Sequence, residues 1–252
     1  MTDLVTTKRD GRVLAVTMNR PDKKNALTHA MYTALADALD IAAADPDIRV
    51  VLIAGAGDGF TAGNDLGDFQ NRGSEPGERP VARFLRTLLH FEKPVVAAVH
   101  GVAVGVGITM LLHCDLVVVA DSARLQAPFV SLALVPEFAS SLQLPQRVGA
   151  ALANDMFLTG RVLTGAEALA AGIASRLVAD ADLAAEAMAM AQAVAAKAPR
   201  AVRLTKQLVR SNRQELADRM EAEGRLFDEQ LRSAEFMEAA TAFMQKRAPS
   251  FD

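Results

Sequence analysis

Phe60-Thr61-Ala62-Gly63-Asn64-Asp65-Leu66 and His100-Gly101-Val102-Ala103-Val104-Gly105-Val106-Gly107-Ile108-Thr109 decide the reading of this chain. Each stretch follows an apolar run of the kind that forms a buried strand, and each leads into a helical pattern. A glycine-rich turn after a strand uncovers backbone N–H groups. Two such turns brought together would aim two N–H donors at one carbonyl oxygen, which is the construction of an oxyanion hole.

Outward from these stretches the pattern is mixed α/β. Val13 to Asn19 reads as the first strand. Val50 to Ala54, Pro94 to Val99 and Leu116 to Ala120 are continuous apolar runs, as expected of strands buried on both faces. Helical stripes lie between them. Thr28 is a candidate N-cap for a helix carrying Met31, Leu35 and Leu39 and ending before Pro46. Val81, Phe84, Leu85 and Leu88 form a second stripe, ended near Pro94. Thr164 and Glu167 have capping-box spacing, with Gly172 suited to the end of that short helix. After Ala179 the β signal vanishes, and the remainder reads as Ala-, Met- and Leu-rich helix broken at Pro199 and near Ser211. The division expected is a core domain over residues 1–195 and a helical region over 196–252. From composition alone, those last helices either pack back on their own domain or pack between subunits of a symmetric oligomer.

Bulk properties bound the function. The 252 residues are 51% hydrophobic and 23% charged, which describes a globular chain. A net charge of −3 and a pI near 5.9 give no reason to expect nucleic acid as partner. Cys114 is the single cysteine, so no intramolecular disulfide is possible, and a reducing cytoplasm is the expected location. The opening MTDLVTTKRDGR lacks a signal-peptide core. No apolar run reads as a membrane span.

Several chemistries lose their signatures. His29, His90, His100 and His113 form no HxxxH pair, and Cys114 has no CxxC partner, so no metal is expected. Gly105-Val106-Gly107 lacks the rest of a dinucleotide fingerprint. There is no Walker lysine and no GxSxG elbow. His100 is best read as a histidine hydrogen-bonded at a strand end. Glu137, within Ala127-Pro128-Phe129-Val130-Ser131-Leu132-Ala133-Leu134-Val135-Pro136-Glu137-Phe138-Ala139-Ser140-Ser141, has two readings. Among Leu134, Val135 and Phe138 a buried carboxyl would be a base of raised pKa. Equally, it could be an ordinary first-turn glutamate facing solvent.

Taken together, Met18-Asn19-Arg20-Pro21 with Asn25-Ala26-Leu27, the Phe60 to Leu66 stretch, Gly101 to Gly105, Cys114-Asp115-Leu116, Ala166-Glu167-Ala168 with Ala171-Gly172, and Phe243-Met244-Gln245-Lys246-Arg247 resemble the enoyl-CoA hydratase/isomerase (crotonase) superfamily over roughly residues 10 to 250. The resemblance implies an α/β fold, a spiral of ββα turns followed by a helical trimerisation region, with a homotrimer or dimer of trimers as the assembly. It implies an acyl-CoA thioester as ligand and no cofactor besides. The backbone amides of Asn64 and Val106 are then the oxyanion donors. Ala26 and Ala62 lie along the adenine pocket through their carbonyls, Lys23 or Lys24 meets CoA phosphates, and Lys246 reaches the CoA of a neighbouring subunit. Gly63, Asp65, Leu66, Gly105, Thr109 and Phe129 complete the expected substrate site.

The departures from the family pattern bear on the reaction. Hydratases of this family use two glutamates to hold and activate water, and this chain has Thr109 and Phe129 in their places. Pro136-Glu137-Phe138-Ala139-Ser140-Ser141 instead resembles the peroxisomal-type Δ3,Δ2-enoyl-CoA isomerase branch, in which a glutamate at this Pro-Glu position acts as the single base. The expected reaction is conversion of a 3-enoyl-CoA to the trans-2-enoyl-CoA by Glu137. Hydration by an unusual base, thioester hydrolysis, decarboxylation and binding without turnover are the alternatives. The segment Asn71 to Leu89 is expected to supply pocket walls.

Overall fold

The computed structural model describes residues 3–65, 67–68 and 78–251. Four strands of its main sheet are the runs read above, and two more, Val5–Asp10 and Arg176–Val178, flank them. Strands β1 (Val5–Asp10), β2 (Val13–Met18), β3 (Val50–Gly55), β4 (Val95–Val99), β6 (Leu116–Ala120) and β9 (Arg176–Val178) lie in the order β1-β2-β3-β4-β6-β9 among the described residues. From β2 to β9 the pairing is parallel. Val95 to Val99 are all buried, as a strand covered on both faces requires.

The first strand is not the one expected. β1 precedes it, antiparallel to β2 with Asp10 opposite Val13 and Gly11 at φ +55° in the connecting turn. Only Val5 of its six residues is buried, so the strand carries almost no apolar pattern. The second glycine stretch also contains a strand. β5 (Val102–Val104), β7 (Arg124–Gln126) and β8 (Leu163–Thr164) form a small second sheet in that spatial order.

Helix α1 (His29–Ala44) begins as expected, with the Thr28 hydroxyl accepting from the Met31 amide and Met31, Leu35 and Leu39 buried. It packs on α2 (Pro80–His90). Helix α3 (Val106–Thr109) follows β5 directly, and α4 (Ser140–Val148) and α5 (Ala150–Asn154) come next. Helix α6 (Gly165–Ala170) opens with the expected capping box of Thr164 and Glu167, and Gly172 just beyond it has φ +79°.

Four helices close the chain: α7 (Leu183–Ala195), α8 (Pro199–Val209), α9 (Arg213–Gln230) and α10 (Ala234–Gln245). A third break, at Leu231–Ser233, adds to the two read from sequence; the Ser233 hydroxyl caps α10 by accepting from the Phe236 amide. The apolar positions of this region divide in two. Met188, Met190 and Val194 pack towards the sheet, and Leu216, Met220 and Phe227 towards the main core. Leu204, Leu208, Val209 and Leu226 remain exposed, Leu208 at 77%. No described helix is long and apolar enough to cross a membrane.

Candidate active site

The first glycine loop is held from both sides. Ala62 N–H donates to Lys24 O, Leu27 N–H to Gly63 O and Asp65 N–H to Leu27 O. On the other side Thr61 N–H donates to Val102 O and Val104 N–H to Thr61 O, so the loop rides along β5. Asn25, fully buried, ties the layers: its amide donates to Ala56 O and Gly59 O while its Oδ1 accepts from Arg20 N–H. Asp65 accepts from Arg20 Nη1 at 2.6 Å and from the amides of Gly67 and Asp68, and the Arg20 guanidinium holds its carboxyl below the ordinary range. Its carboxylate is thus spent on loop geometry.

Gly63 and Gly105 explain why the two loops can meet. Gly63 has φ +91°, and a Cβ there would stand 2.8 Å from Val104 O. Gly105 has φ +57° with ψ −117°, a conformation that side chains rarely adopt. The close approach of Gly63 to the Val104–Gly105 backbone puts Asn64 and Val106, each one residue further on, at adjoining loops. Among the described residues, neither the Asn64 nor the Val106 amide has an acceptor.

Glu137 is not a first-turn helix residue; it precedes α4, and its side chain is half-buried. Its Oε1 accepts from Thr109 Oγ1 at 2.6 Å. Thr109 lies three residues beyond Val106 on α3, so the carboxylate is joined to the helix that starts at the second amide. Burial pushes the Glu137 carboxyl up to about 7; the Thr109 hydrogen bond opposes this and the nearby charge of Glu223 adds to it. On the other flank is Tyr32, buried on α1, whose hydroxyl donates to Asn64 Oδ1 at 2.5 Å. Burial raises the Tyr32 phenol well above its ordinary value, and the charge of Glu137 contributes. Glu137 therefore sits within electrostatic reach of groups that support both loops.

These loops open on a cleft of about 900 Å³. Of the residues anticipated from sequence, Lys23, Lys24, Ala26, Ala62, Gly63, Asn64, Asp65, Gly105, Val106 and Phe129 line it. Thr109, Glu137 and Lys246, also expected at the substrate site, are not among its lining residues; Lys246 is exposed on the C-terminal turn. Leu66 and residues 71–77 of the Asn71–Leu89 segment lie outside the described residues, and the described remainder, 78–89, does not line the cleft. The Ala26 carbonyl already accepts from Arg20 Nη1. His100 behaves as read, with Nε2 2.9 Å from Gly57 O.

The C-terminal region adds residues that sequence reasoning missed. Phe227, Ala239, Phe243, Arg247 and Pro249 of this same chain line the cleft. Arg247 is held by Glu238 through two hydrogen bonds. Tyr32 was also missed, because on the α1 stripe it is indistinguishable from a core aromatic.

The parallel sheet, the small second sheet and the paired glycine loops define the crotonase-type α/β fold. The chain belongs to the enoyl-CoA hydratase/isomerase family, whose model matches residues 8–252. It is thereby an enzyme of that family, with thioester chemistry of the enoyl-CoA hydratase/isomerase type. A rat enoyl-CoA delta isomerase 2 is 35% identical over 212 residues, covering 82% of this chain and 54% of the rat protein, so the chain spans about half of that relative's length. The 2,3-dehydroadipyl-CoA hydratase of Escherichia coli K12 is 34% identical over 100% of this chain and 99% of its own. The crystal structure of an enoyl-CoA hydratase/isomerase from Pseudoalteromonas atlantica T6c superposes with a TM-score of 0.96 at 50% identity, covering 99% of this chain and all of that one.

Proposed function

We propose that this chain isomerises 3-enoyl-CoA to trans-2-enoyl-CoA, with Glu137 as its single acid/base group. The observation that carries the reading is the Glu137 carboxyl: half-buried, raised to about 7, and hydrogen-bonded by the threonine found where hydratases of this family carry a glutamate. Phe129 occupies the second such position and lines the cleft without an acid or base to offer.

In the proposed reaction the thioester oxygen accepts from the Asn64 and Val106 amides. Ionised Glu137 takes a proton from C2. The C–H electron pair forms the C1–C2 double bond of a dienolate as the carbonyl π pair moves onto the thioester oxygen, and conjugation with the retained C3–C4 double bond carries negative charge to C4. Glu137 then returns its proton to C4, and the charge collapses to the conjugated 2-enoyl thioester. One base suffices if it reaches C2 and C4 on one face. A pKa near 7 suits a group that both takes and gives a proton at neutrality. Apolar surroundings such as Leu134 and Phe138 limit loss of that proton to water.

For the remainder of the ligand, Lys23 and Lys24 at the cleft are suited to CoA phosphates, and the Ala62 carbonyl to the adenine. Lys246 is assigned to the CoA of a neighbouring subunit, with residues 196–252 as the assembly region and residues 1–195 as the catalytic core. The name of the rat relative supports isomerisation. Hydration is the second reading, favoured by the name of the E. coli relative. The deciding experiment gives purified protein trans-3-hexenoyl-CoA and follows the absorbance of the conjugated thioester, with a 2-enoyl-CoA hydration assay alongside. Hydration at a rate equal to or above isomerisation would sink the isomerase reading.

A further inference from the structure

The two residues after Glu137 are both left-handed without being glycine: Phe138 has φ +60° and Ala139 φ +55°. L-residues adopt this region sparingly, and consecutive cases persist only where surrounding contacts over-determine them. The contacts are present. Glu223, 5% exposed and contributed by α9, accepts from the Ala139 amide at 2.6 Å with Oε2 and from the Ser141 amide at 2.9 Å with Oε1. The His113 ring stacks on Phe138 at 3.7 Å, and its Nε2 lies 2.8 Å from Phe138 O. Helix α4 begins in this turn, and its N-cap residue, Ala139, has no capping side chain of its own. The Glu223 carboxylate takes that place from a helix more than eighty residues away.

We propose that Glu223 is a positioning residue for the catalytic base: it locks the left-handed Phe138–Ala139 turn and so fixes the Glu137 carboxylate against Thr109 beside the oxyanion loops. This rests on the isomerase reading for the role of Glu137. The same helix carries Phe227, one turn on from Glu223, into the cleft wall. Helix α9 therefore sets both a wall of the substrate site and the aim of its base, and links the C-terminal region to the chemistry. The charged and titratable groups that bear on this contact are Glu137 itself, Tyr32 across from it, Arg219 on α9, and neutral buried His113. A glutamate in an exposed-looking helix is costly to bury unless its oxygens are hydrogen-bonded, and both oxygens here are used on one turn.

The test is Glu223→Gln, with Glu223→Gln/Ala139→Gly as the companion variant. Gln keeps the volume but loses one acceptor oxygen and the charge. Expected for Glu223→Gln are faster amide hydrogen exchange in the peptide spanning 137–141, kcat lowered at least tenfold with KM within threefold, and an acid limb displaced to lower pH because the like charge beside Glu137 is gone. Glycine adopts a left-handed φ without a clamp, so the companion variant should regain part of kcat. Unchanged exchange at 137–141, or a kcat loss with no movement of the limb and no recovery in the companion, overturns the proposal. Exchange is read without substrate, so altered exchange in a protein lacking isomerase activity would fault the reaction assignment and leave the clamp standing.

Discussion

The Thr109 hydroxyl donates to the Glu137 carboxylate across 2.6 Å, so the proposed base is tied to the short helix that begins at the second glycine loop. Two opposing influences act on that carboxyl. Burial favours the protonated form and raises it to about 7, while the hydroxyl stabilises the anion. Since the base must be ionised to take the C2 proton, kcat/KM should climb with pH along a single limb centred near 7. Thr109→Val deletes the stabilising donor and keeps the shape. A hydrogen bond to a charged group contributes about 1.5–3 kcal/mol, and one pKa unit is about 1.4 kcal/mol. The limb should therefore move up by about one to two units. A limb that stays in place in the variant shows that the hydroxyl does not tune the base.

Glu137→Gln removes the only proposed acid/base group and leaves the two backbone amides. Isomerisation should fall by about 10²–10⁴-fold, with acyl-CoA binding retained in calorimetry. The same change has a stability consequence. Because the folded-state pKa of Glu137 is raised above its unfolded value, the folded protein binds more protons between about 4.5 and 7. That contribution is fully present below pH 4.5 and is lost as pH rises through 7. Above pH 7 wild-type protein carries a desolvated charge that the variant lacks. Glu137→Gln should melt higher than wild type at pH 8 and alike at pH 4.5. Near-normal turnover by the variant would take Glu137 out of the mechanism.

Gly63→Ala tests the meeting of the two loops. The added Cβ would stand 2.8 Å from the Val104 carbonyl at a φ of +91°, so the loop must shift. Both effects displace Asn64 from the second loop. An oxyanion donor moved out of range costs about 10²–10³-fold in kcat, and a loss of that size with native circular dichroism is expected. Full activity in the variant would show that the Gly63 loop is not part of the oxyanion site.

How far these features were legible follows from their physics. Gly63 and Gly105 could be read because a turn that brings two backbones together has few alternatives to glycine. Val50–Gly55 and Val95–Val99 could be read because a strand buried on both faces must be apolar throughout. β1 could not be read, since five of its six residues are not buried and its partner supplies the core face. β5, β7 and β8 have two or three residues each, too few for a period to register. Residue patterning showed Glu137 only as an acid among apolar neighbours, and its expected role as base came from the family resemblance; its link to Thr109 spans 28 residues. Glu223 was invisible, because a glutamate in the charged α9 sequence looks the same whether it faces water or caps a distant turn.

Tyr32→Phe probes the other flank. Tyr32 donates to Asn64 Oδ1 from a buried position, and its removal frees the carboxamide next to the first oxyanion amide. Asn64 is itself only half-buried at the cleft, so the freed oxygen can be hydrated, and the lost hydrogen bond contributes about 0.5–1.5 kcal/mol. Stability should fall by that order, and kcat should fall with it while KM for the CoA ester holds. A variant with wild-type Tm and kcat would make the contact incidental.

The last prediction concerns assembly. Leu204, Leu208 and Val209 on α8 and Leu226 on α9 are exposed in the single chain, at 48, 77, 78 and 53%. Phe243, Met244 and Phe251 near the C-terminus are exposed as well, and Phe243 also lines the cleft. Monomeric proteins seldom leave large apolar surface uncovered, and closed symmetric association between copies is the common remedy. Wild-type protein should therefore sediment as a trimer or a dimer of trimers. Leu226→Glu should weaken that association, since a charge buried in an apolar interface is unfavourable unless paired. Leu226 precedes the cleft-lining Phe227, so activity should decline on dilution of the variant at concentrations where wild type stays assembled. A wild-type chain that sediments as a fully active monomer at micromolar concentration would remove both the assembly and the shared role of Lys246.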